Sequence, residues 1–263
     1  VCIGGVVMSE RPTAAFFDLD RTLIAGSSAF VFARAARDAG YIRIQDFVPD
    51  VLRALKFQFL GSSDESTFGV RDRILAGAGG LKQSELLSLN EIVLPELLGL
   101  IRPEARALLE QHHAAGRETW IISASPIEIV EPLATALGMT GGIGTRGEVD
   151  NGVYTGRLDG PFCYGEGKAE AISLLAAERN IDLANSWSYS DSMSDVPMME
   201  LVGHAVAVNP DSELSDLARR KGWPVVVFAQ RSKMLIRRSS TATFAIAAIV
   251  LAYTFGLRRG RRN

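Results

Sequence analysis

The sequence predicts an α/β fold: a Rossmann-like parallel sheet with helices on both faces, an all-helical cap inserted after the first strand, and a C-terminal transmembrane helix. From about residue 101 onward, short apolar runs alternate with segments of helical periodicity, which is typical of a parallel sheet. Between residues 27 and 100, apolar residues recur only at helical spacing. Residues 241–257 contain no charged side chain, as a membrane span requires.

These patterns divide the chain into four predicted parts. They are an N-terminal extension over 1–13, a core domain over 14–26 and 101–230, a helical cap over 27–100, and a basic tail over 231–263. The length of 263 residues suits one medium α/β domain with a smaller insert.

The first half of the chain begins with one strand and continues with helices. The strand is predicted over Thr13–Phe17, a short apolar run that ends at Asp18. Helical spacing predicts helices over Ala29–Gly40 and 46–60, and no strand is predicted between residues 25 and 100. We therefore interpret this stretch as a lid and not as part of the sheet.

The second half alternates between strands and helices. Strands are predicted over Glu118–Ser123, Ser186–Ser190, His204–Val208 and Pro224–Phe228. Helices are predicted over 103–115, 126–138, Lys168–Arg179, Val196–Leu201 and Ser212–Lys221. A hairpin is predicted over Glu148–Arg157, because Asn151 and Gly152 suit a type I′ turn.

The net charge of −2 hides an asymmetry between the body of the chain and its tail. Residues 231–263 hold eight Arg or Lys and no Asp or Glu, which leaves 20 basic and 30 acidic residues in 1–230. An acidic body argues against nucleic acid as a partner, and a basic tail points to an anionic surface. Cys2 and Cys163 lack the spacing of a metal site and are predicted to be reduced thiols.

The tail predicts a membrane anchor. Thr241–Leu257 is seventeen residues without a charge, and pairs of arginines flank it at 237–238 and 258–259. Its apolar residues surround the helix, unlike those of a surface helix, although its length is at the short limit for a span. The alternative is a buried core helix. We expect a single-pass membrane protein whose catalytic domain is cytoplasmic, and the equal flanking charges leave the orientation of the helix open.

The first chemical motif is the pair of carboxylates Asp18 and Asp20, directly after the first strand. Ligands bind at the carboxyl ends of strands in an open parallel sheet, so both acids lie where a site is expected. One carboxylate can attack phosphorus while the other exchanges a proton with the leaving oxygen. The motif alone is weak, because two acids at this spacing also occur in surface turns and calcium loops.

Two further motifs offer a hydroxyl and a cation. Ser123 ends a predicted strand before a helix, where a hydroxyl and N–H groups can hold phosphate, and an ordinary helix cap is the alternative. Lys168 stands at a predicted helix start, where a cation is unfavourable unless it offsets a negative charge. A plain surface lysine is the alternative for this residue.

The last motif is an acidic loop after the strand that ends at Ser190. Asp191 and Asp195 lie four residues apart among small hydroxyl residues. Oxygen ligands of this kind suit Mg²⁺, which keeps several waters and takes one or two protein carboxylates. A solvated acidic loop is the alternative, and it fits poorly beside so apolar a strand. His112 and His113 have no such motif around them and are predicted to have a structural or solvent role.

Together the four motifs resemble the haloacid dehalogenase superfamily, whose signature is D-x-D-x-T, a strand-end Ser or Thr, a Lys, and an acidic D-x-x-x-D pair. The agreement covers about residues 14–230. The forms SASP at 123–126 and YSDSMSD at 189–195, with the helical insertion, look like the phosphoserine-phosphatase-like branch.

The resemblance implies a role for each matching residue. Asp18 would be the nucleophile and a Mg²⁺ ligand, and Asp20 the general acid/base that also lends its backbone carbonyl to the metal. Lys168 would neutralise Asp18 and the phosphate and, with Mg²⁺, keep the pKa of Asp18 low. Thr22 would steady the loop, and Ser123 with the Ala124 N–H would hold phosphoryl oxygens. Asp191 would bind Mg²⁺ directly, and Asp195 would bind or orient through its water shell.

We therefore expect a Mg²⁺-dependent phosphomonoester hydrolase that forms an aspartyl-phosphate. The branch usually shows G-D-G-x-N-D in its last motif, whereas serines stand at 190, 192 and 194 here, which weakens phosphoserine as the substrate. The predicted anchor favours a phosphorylated lipid or lipid precursor. The alternatives are a soluble-metabolite phosphatase, a phosphotransferase, and a non-catalytic membrane-bound regulatory protein.

Overall fold

A computed structural model describes residues 11–40 and 78–228 of the chain. Its centre is a six-stranded sheet in which every neighbouring pair is parallel. The strands are β1 (Ala14–Asp18), β2 (Glu118–Pro126), β3 (Gly141–Thr145), β6 (Trp187–Ser190), β7 (His204–Val208) and β8 (Val225–Val226). The sheet order is β3-β2-β1-β6-β7-β8. A separate antiparallel hairpin consists of β4 (Gly147–Asp150) and β5 (Val153–Leu158).

The position of β1 decides where a site can form. All five of its residues are buried, and it pairs with β2 on one side and β6 on the other. The chain leaves β1 towards one half of the sheet and later returns to the other half. The loops after β1, β2 and β6 therefore meet at one edge, which is where open parallel sheets bind ligands.

Eight helices are described around the sheet and hairpin: α1 (Ser28–Asp38), α2 (Gln83–Ser88), α3 (Asn90–Leu100), α4 (Pro103–Ala114), α5 (Ile127–Ala136), α6 (Glu166–Arg179), α7 (Val196–Glu200) and α8 (Ser212–Lys221). Their ends follow local chemistry. Pro103 begins α4, and the Asp211 side chain caps α8 by accepting from Leu214 N. Gly222, with φ of 71°, ends α8.

One apolar core lies on the face of the sheet that packs against α6, α7 and α8. Phe16 and Ile122 contribute from the sheet, Ile172 from α6 and Met198 from α7. All four side chains are fully buried, so this layer fixes the start of α6 and the loop after β6 relative to the sheet.

The Rossmann-like sheet is confirmed, and two details of it differ from the sequence prediction. Strand β2 extends to Pro126 and so includes Ala124 and Ser125, which were predicted to follow it. Strand β3 was not predicted, because the run GGIGT has almost no apolar side chains. Its glycines allow close packing: an added Cβ would come 2.9 Å from the Val130 carbonyl at Gly142 and 2.7 Å from the Ser125 carbonyl at Gly144.

The predicted hairpin is confirmed, since Asn151 and Gly152 both have positive φ, of 49° and 79°. The described parts of the predicted cap, 27–40 and 78–100, contain α1, α2 and α3 and no strand. The predicted helix over 46–60 lies outside the described residues. So do the anchor at 241–257, the rest of the basic tail over 231–263, and Cys2. Within 11–40 and 78–228, no helix is long and apolar enough to cross a membrane.

Candidate active site

The loop after β1 has an irregular backbone. Leu19–Leu23 closes a wide five-residue turn, and within it Asp20 is extended while Arg21 has a φ of 63°. A non-glycine residue in this left-handed region is strained, and such strain concentrates at functional sites. The turn aims Asp18, Asp20 and Arg21 towards the carboxyl edge of the sheet.

Lys168 joins two of the predicted acids. Its ammonium Nζ donates to Asp18 Oδ1 at 2.6 Å and to Asp195 Oδ2 at 2.8 Å. The lysine is only 3% exposed, so the predicted functional role is favoured over a surface lysine. The start of α6 can pack closely on the Phe162 carbonyl only because residue 167 is glycine: a Cβ there would lie 1.9 Å from that oxygen.

The acidic loop after β6 brings the other two acids to the same edge. Asp191 and Asp195 are both buried, which excludes the solvated-loop alternative. Arg21 Nε lies 2.9 Å from Asp191 Oδ2 as an ion pair. Ser190 Oγ donates to Asp195 Oδ2 at 2.6 Å. The sequence predicts no role in the site for Arg21 or Ser190. Arg21 lies inside the first motif, and Ser190 is notable only as a difference from the branch pattern.

Asp20 is linked to the start of α1. The Ser28 N–H donates to Asp20 Oδ1 at 2.7 Å, and the Ser28 and Ser125 hydroxyls lie 2.7 Å apart. The Ser123 hydroxyl accepts from Ser125 N at 3.2 Å, inside the long strand β2. The alternative of Ser123 as a helix cap is wrong, since Pro126 is the residue before α5. Ser28 was not predicted; a hydroxyl residue just before a helical run was its only signal.

For two residues of the predicted phosphate site, the structure gives few contacts that bear on their roles. Thr22 is buried and its hydroxyl has no hydrogen-bond partner among the described residues. Ala124 is half-buried, and its carbonyl accepts from Thr145 Oγ1 at 2.8 Å, which ties the β2 end to β3. The roles of steadying the loop and of donating an N–H to phosphate remain predictions.

Burial is the largest influence on the pKa of three of the acids. It raises the pKa of Asp18 well above its ordinary value, an effect that Lys168 opposes and the neighbouring carboxylates reinforce. The pKa of Asp20 is raised by burial, against the stabilising bonds from Ser28. Burial also raises the pKa of Asp191, to about 7, although Arg21 opposes the shift. The prediction of a low pKa at Asp18 assumed two cations, and Lys168 alone does not produce it.

Burial by itself would lower the pKa of Lys168, but the attraction of Asp18 and Asp195 outweighs it, and the pKa of the lysine is raised. The ammonium is therefore charged across the physiological range. One firmly held cation thus lies among four carboxyl groups.

Buried oxygens without hydrogen bonds provide a test for a metal. Within the described residues Asp195 Oδ1 has no hydrogen-bond partner, and Asp191 Oδ2 has no hydrogen bond beside its ion pair with Arg21. Among those residues, no group of three or more His, Cys, Asp or Glu is arranged to hold a metal ion, because Lys168 separates Asp18 from Asp195 and Arg21 pairs with Asp191. Hard oxygens in so small a number fit Mg²⁺, which needs only one or two protein carboxylates, and do not fit an all-protein cage.

A parallel sheet with buried acids and a lysine at its carboxyl edge defines an α/β protein whose ligand site lies at the ends of its strands. Comparison with known proteins narrows this class. The family described as haloacid dehalogenase-like hydrolase matches residues 15–200. The chain belongs to this family and to its phosphoserine-phosphatase-like branch, and it is a phosphatase, a phosphoric monoester hydrolase.

Similar proteins come from several bacteria. A phosphoserine phosphatase of Mycobacterium tuberculosis is 40% identical over 218 residues, which cover 82% of this chain and 71% of the relative. A histidinol-phosphatase of Neisseria meningitidis is 33% identical over 219 residues, covering 81% and 98%. A crystal structure of a protein of unknown function from Bordetella pertussis Tohama I superposes with a TM-score of 0.72 at 26% identity, covering 82% and 98%.

Proposed function

We propose that the protein hydrolyses phosphate monoesters through an aspartyl-phosphate on Asp18, with Mg²⁺ as cofactor. The observation that best supports this proposal is the position of the Lys168 ammonium, 2.6 Å from Asp18 and 2.8 Å from Asp195 at the carboxyl edge of the sheet. A dianionic phosphate repels a carboxylate nucleophile, and a buried cation beside that nucleophile reduces the repulsion.

In the first step an Asp18 oxygen attacks phosphorus and the bond from phosphorus to the ester oxygen breaks. Asp20, whose pKa is raised by burial, gives its proton to the departing alkoxide. In the second step water attacks the same phosphorus, Asp20 takes a proton from it, and phosphate leaves with Asp18 restored as a carboxylate. The Ser28 N–H holds one Asp20 oxygen throughout, so the other carries the proton.

Ser123 and Ala124 are proposed to hold the phosphoryl oxygens, because they directly follow Ile122, the β2 residue that pairs with Asp18. Thr22, buried in the β1 loop, is proposed to steady it. Asp18, Asp191, Asp195 and the Asp20 carbonyl are proposed to hold Mg²⁺, which when bound would supply further positive charge beside Asp18 and the phosphate. That second charge accounts for an ionised nucleophile where Lys168 alone leaves the pKa raised.

The assay for this function is direct. Purified protein is expected to release phosphate from an aryl phosphate, to lose the activity in EDTA and to regain it with Mg²⁺. Full turnover in the chelator would exclude the metal role of Asp191 and Asp195. An added acceptor alcohol that diverts phosphate from water would instead identify a phosphotransferase, and inactivity on every ester would favour the regulatory alternative.

For the substrate we propose a small phosphate ester of a primary alcohol with an amine on the neighbouring carbon. Two relatives, one named a phosphoserine phosphatase and one a histidinol-phosphatase, support this, since both named substrates have that unit. The test compares kcat/KM for phosphoserine, phosphoethanolamine and histidinol phosphate with propyl phosphate, which lacks the amine. Equal values for the amine-bearing esters and propyl phosphate would reject the class.

A phosphorylated lipid or lipid precursor is the second candidate, favoured by the uncharged segment Thr241–Leu257 and its flanking arginines. An anchor would raise the local concentration of a membrane substrate, and each arginine near an anionic leaflet adds about 1 kcal/mol of attraction. Full-length protein is compared with a chain ending at Gln230. The lipid hypothesis expects truncation to spare aryl phosphate hydrolysis and to reduce activity on vesicle-borne phosphate; protein that stays soluble after membrane pelleting would reject it.

A further inference from the structure

Ser190 is the last residue of β6 and directly precedes Asp191. Its side chain is fully buried, and the hydroxyl donates to Asp195 Oδ2 at 2.6 Å. The same hydroxyl accepts from Ser192 N at 3.2 Å, so its own hydrogen-bonding capacity is used within the acidic loop. A buried hydroxyl that donates to a carboxylate makes a stabilising bond and restricts the position of that carboxylate.

The two oxygens of Asp195 have different surroundings. Oδ2 accepts both from Ser190 and from Lys168 Nζ, at 2.6 and 2.8 Å. Oδ1 is buried and has no hydrogen-bond partner among the described residues. Two charge-assisted bonds to one oxygen prevent rotation of the carboxylate and fix the direction of the other oxygen.

We propose that Ser190 is a positioning residue that acts through Asp195, an inference that rests on the proposed phosphatase function. The hydroxyl and Lys168 together fix Oδ2, and this presents Oδ1 to Mg²⁺ or its water shell. Without the hydroxyl, Lys168 alone holds Asp195, and the carboxylate can turn so that either oxygen takes the ammonium. The cation site then loses its preformed oxygen and must restrict the carboxylate when the cation binds.

The chain offers a matched control on the same strand. Ser188 is also fully buried, but its hydroxyl has no hydrogen-bond partner within the described residues. Ser188→Ala and Ser190→Ala remove the same atom at the same depth, and only the second removes a bond to a site carboxylate. Ser190→Gly is the second test variant, because it removes the hydroxyl without leaving a Cβ beside Asp195.

The experiment measures Mg²⁺ binding by calorimetry and the Mg²⁺ concentration that gives half-maximal phosphate release, for full-length wild type and all three variants. Ser190→Ala and Ser190→Gly are expected to bind Mg²⁺ about tenfold more weakly, the usual loss when the partner of a metal ligand is removed. At saturating Mg²⁺ most of the turnover is expected to return, and Ser188→Ala is expected to match wild type throughout. Thermal unfolding checks that each variant is folded.

The outcomes separate this inference from the proposed function. Wild-type protein without Mg²⁺ binding or turnover would overturn both. Wild-type activity with unchanged Mg²⁺ affinity in both Ser190 variants would overturn the role of Ser190 alone. Equal weakening in Ser188→Ala would assign the effect to packing of β6 and likewise overturn it. If only one Ser190 variant folds, the proposal is tested by comparing the Mg²⁺ affinity of that variant with the Mg²⁺ affinity of Ser188→Ala.

Discussion

Lys168 donates a 2.6 Å hydrogen bond to Asp18 across 150 residues of sequence. The contact depends on two elements: β1 places the carboxylate in the middle of the sheet edge, and the start of α6, where Gly167 packs closely on the Phe162 carbonyl, places the lysine beside it. Both charges are buried, so the cost of removing them from water is offset mainly by their attraction and by the second acceptor, Asp195.

The first prediction separates activity from stability at Asp18. Burial and the adjacent acids raise the pKa of Asp18, so folding disfavours its ionised form. Asp18→Asn keeps the shape and removes that charge, while Lys168 retains Asp195. We expect phosphate release to fall by at least about a thousandfold and the Tm at pH 7 to rise by about 2–4 °C. Retained turnover would refute the assignment of Asp18 as the nucleophile. A lower Tm would refute the inference that the buried charge of Asp18 destabilises the fold.

The second prediction concerns the link between the start of α1 and strand β2. Ser28→Ala removes the hydroxyl that bonds Ser125 and that also helps to stabilise the ionised form of Asp20, and it leaves the N–H that donates to Asp20. We expect a loss of about 1–3 kcal/mol in the free energy of unfolding, because Ser125 is left without this partner. We also expect a higher KM, since Ser125 N donates to the Ser123 hydroxyl proposed to hold phosphate.

Ser27→Ala is the control for this variant. The Ser27 hydroxyl is buried without a hydrogen-bond partner among the described residues, so its removal is expected to change the free energy of unfolding by no more than about 0.5 kcal/mol. For both variants, chemical denaturation measures the free energy of unfolding and steady-state kinetics measure KM. Equal effects of the two substitutions would show that the hydroxyl pair does not stabilise the site.

The third prediction tests how β3 supports the end of β2. A Cβ at Gly144 would lie 2.7 Å from the Ser125 carbonyl. Gly144→Ala is therefore expected to displace the backbone at Ser125 and to cost about 1–3 kcal/mol of stability, with a loss of turnover. Gly99→Ala is the control: its Cβ would meet nothing within 4 Å in α3, where alanine is favoured by up to about 1 kcal/mol. A Gly144→Ala enzyme with normal kinetics would contradict this account.

The sequence was sufficient for most of the sheet, and the reasons for its failures are physical. Strand β1 and strand β7 are apolar runs of strand length, so they were predicted nearly to the residue. Strand β3 is stabilised by backbone pairing and close glycine contacts with α5, and neither leaves a pattern of side chains.

For the site, the acids and Lys168 were found because their types and spacing are unusual. Ser28 and Ser190 were missed because their roles arise from hydrogen bonds, and common residues give no signal of these. The low pKa predicted for Asp18 depends on Lys168 together with Mg²⁺ and stays a prediction; with Lys168 alone burial raises this pKa, and a sequence gives no measure of burial.

The last prediction concerns His112, which is buried on α4 behind the sheet, in agreement with its predicted structural role. Its Nε2 lies 2.8 Å from the Tyr189 hydroxyl, and Arg117 Nη1 lies 3.4 Å from its Nδ1. Arginine can only donate, so Nδ1 is the acceptor and Nε2 carries the proton of a neutral ring. Burial, Arg117 and then His113 lower the pKa of His112 from 6.5 to about 4.

A lowered histidine pKa gives stability a definite pH dependence. Between about pH 6.5 and 4 the unfolded chain binds a proton that the folded chain does not, so the free energy of unfolding falls as the pH falls through this window. The full shift corresponds to about 3 kcal/mol. Since the acids also titrate here, the test is the difference between wild type and His112→Gln in urea unfolding at several pH values. We expect the variant to have a shallower slope; parallel curves for the two proteins would show that His112 is not held neutral.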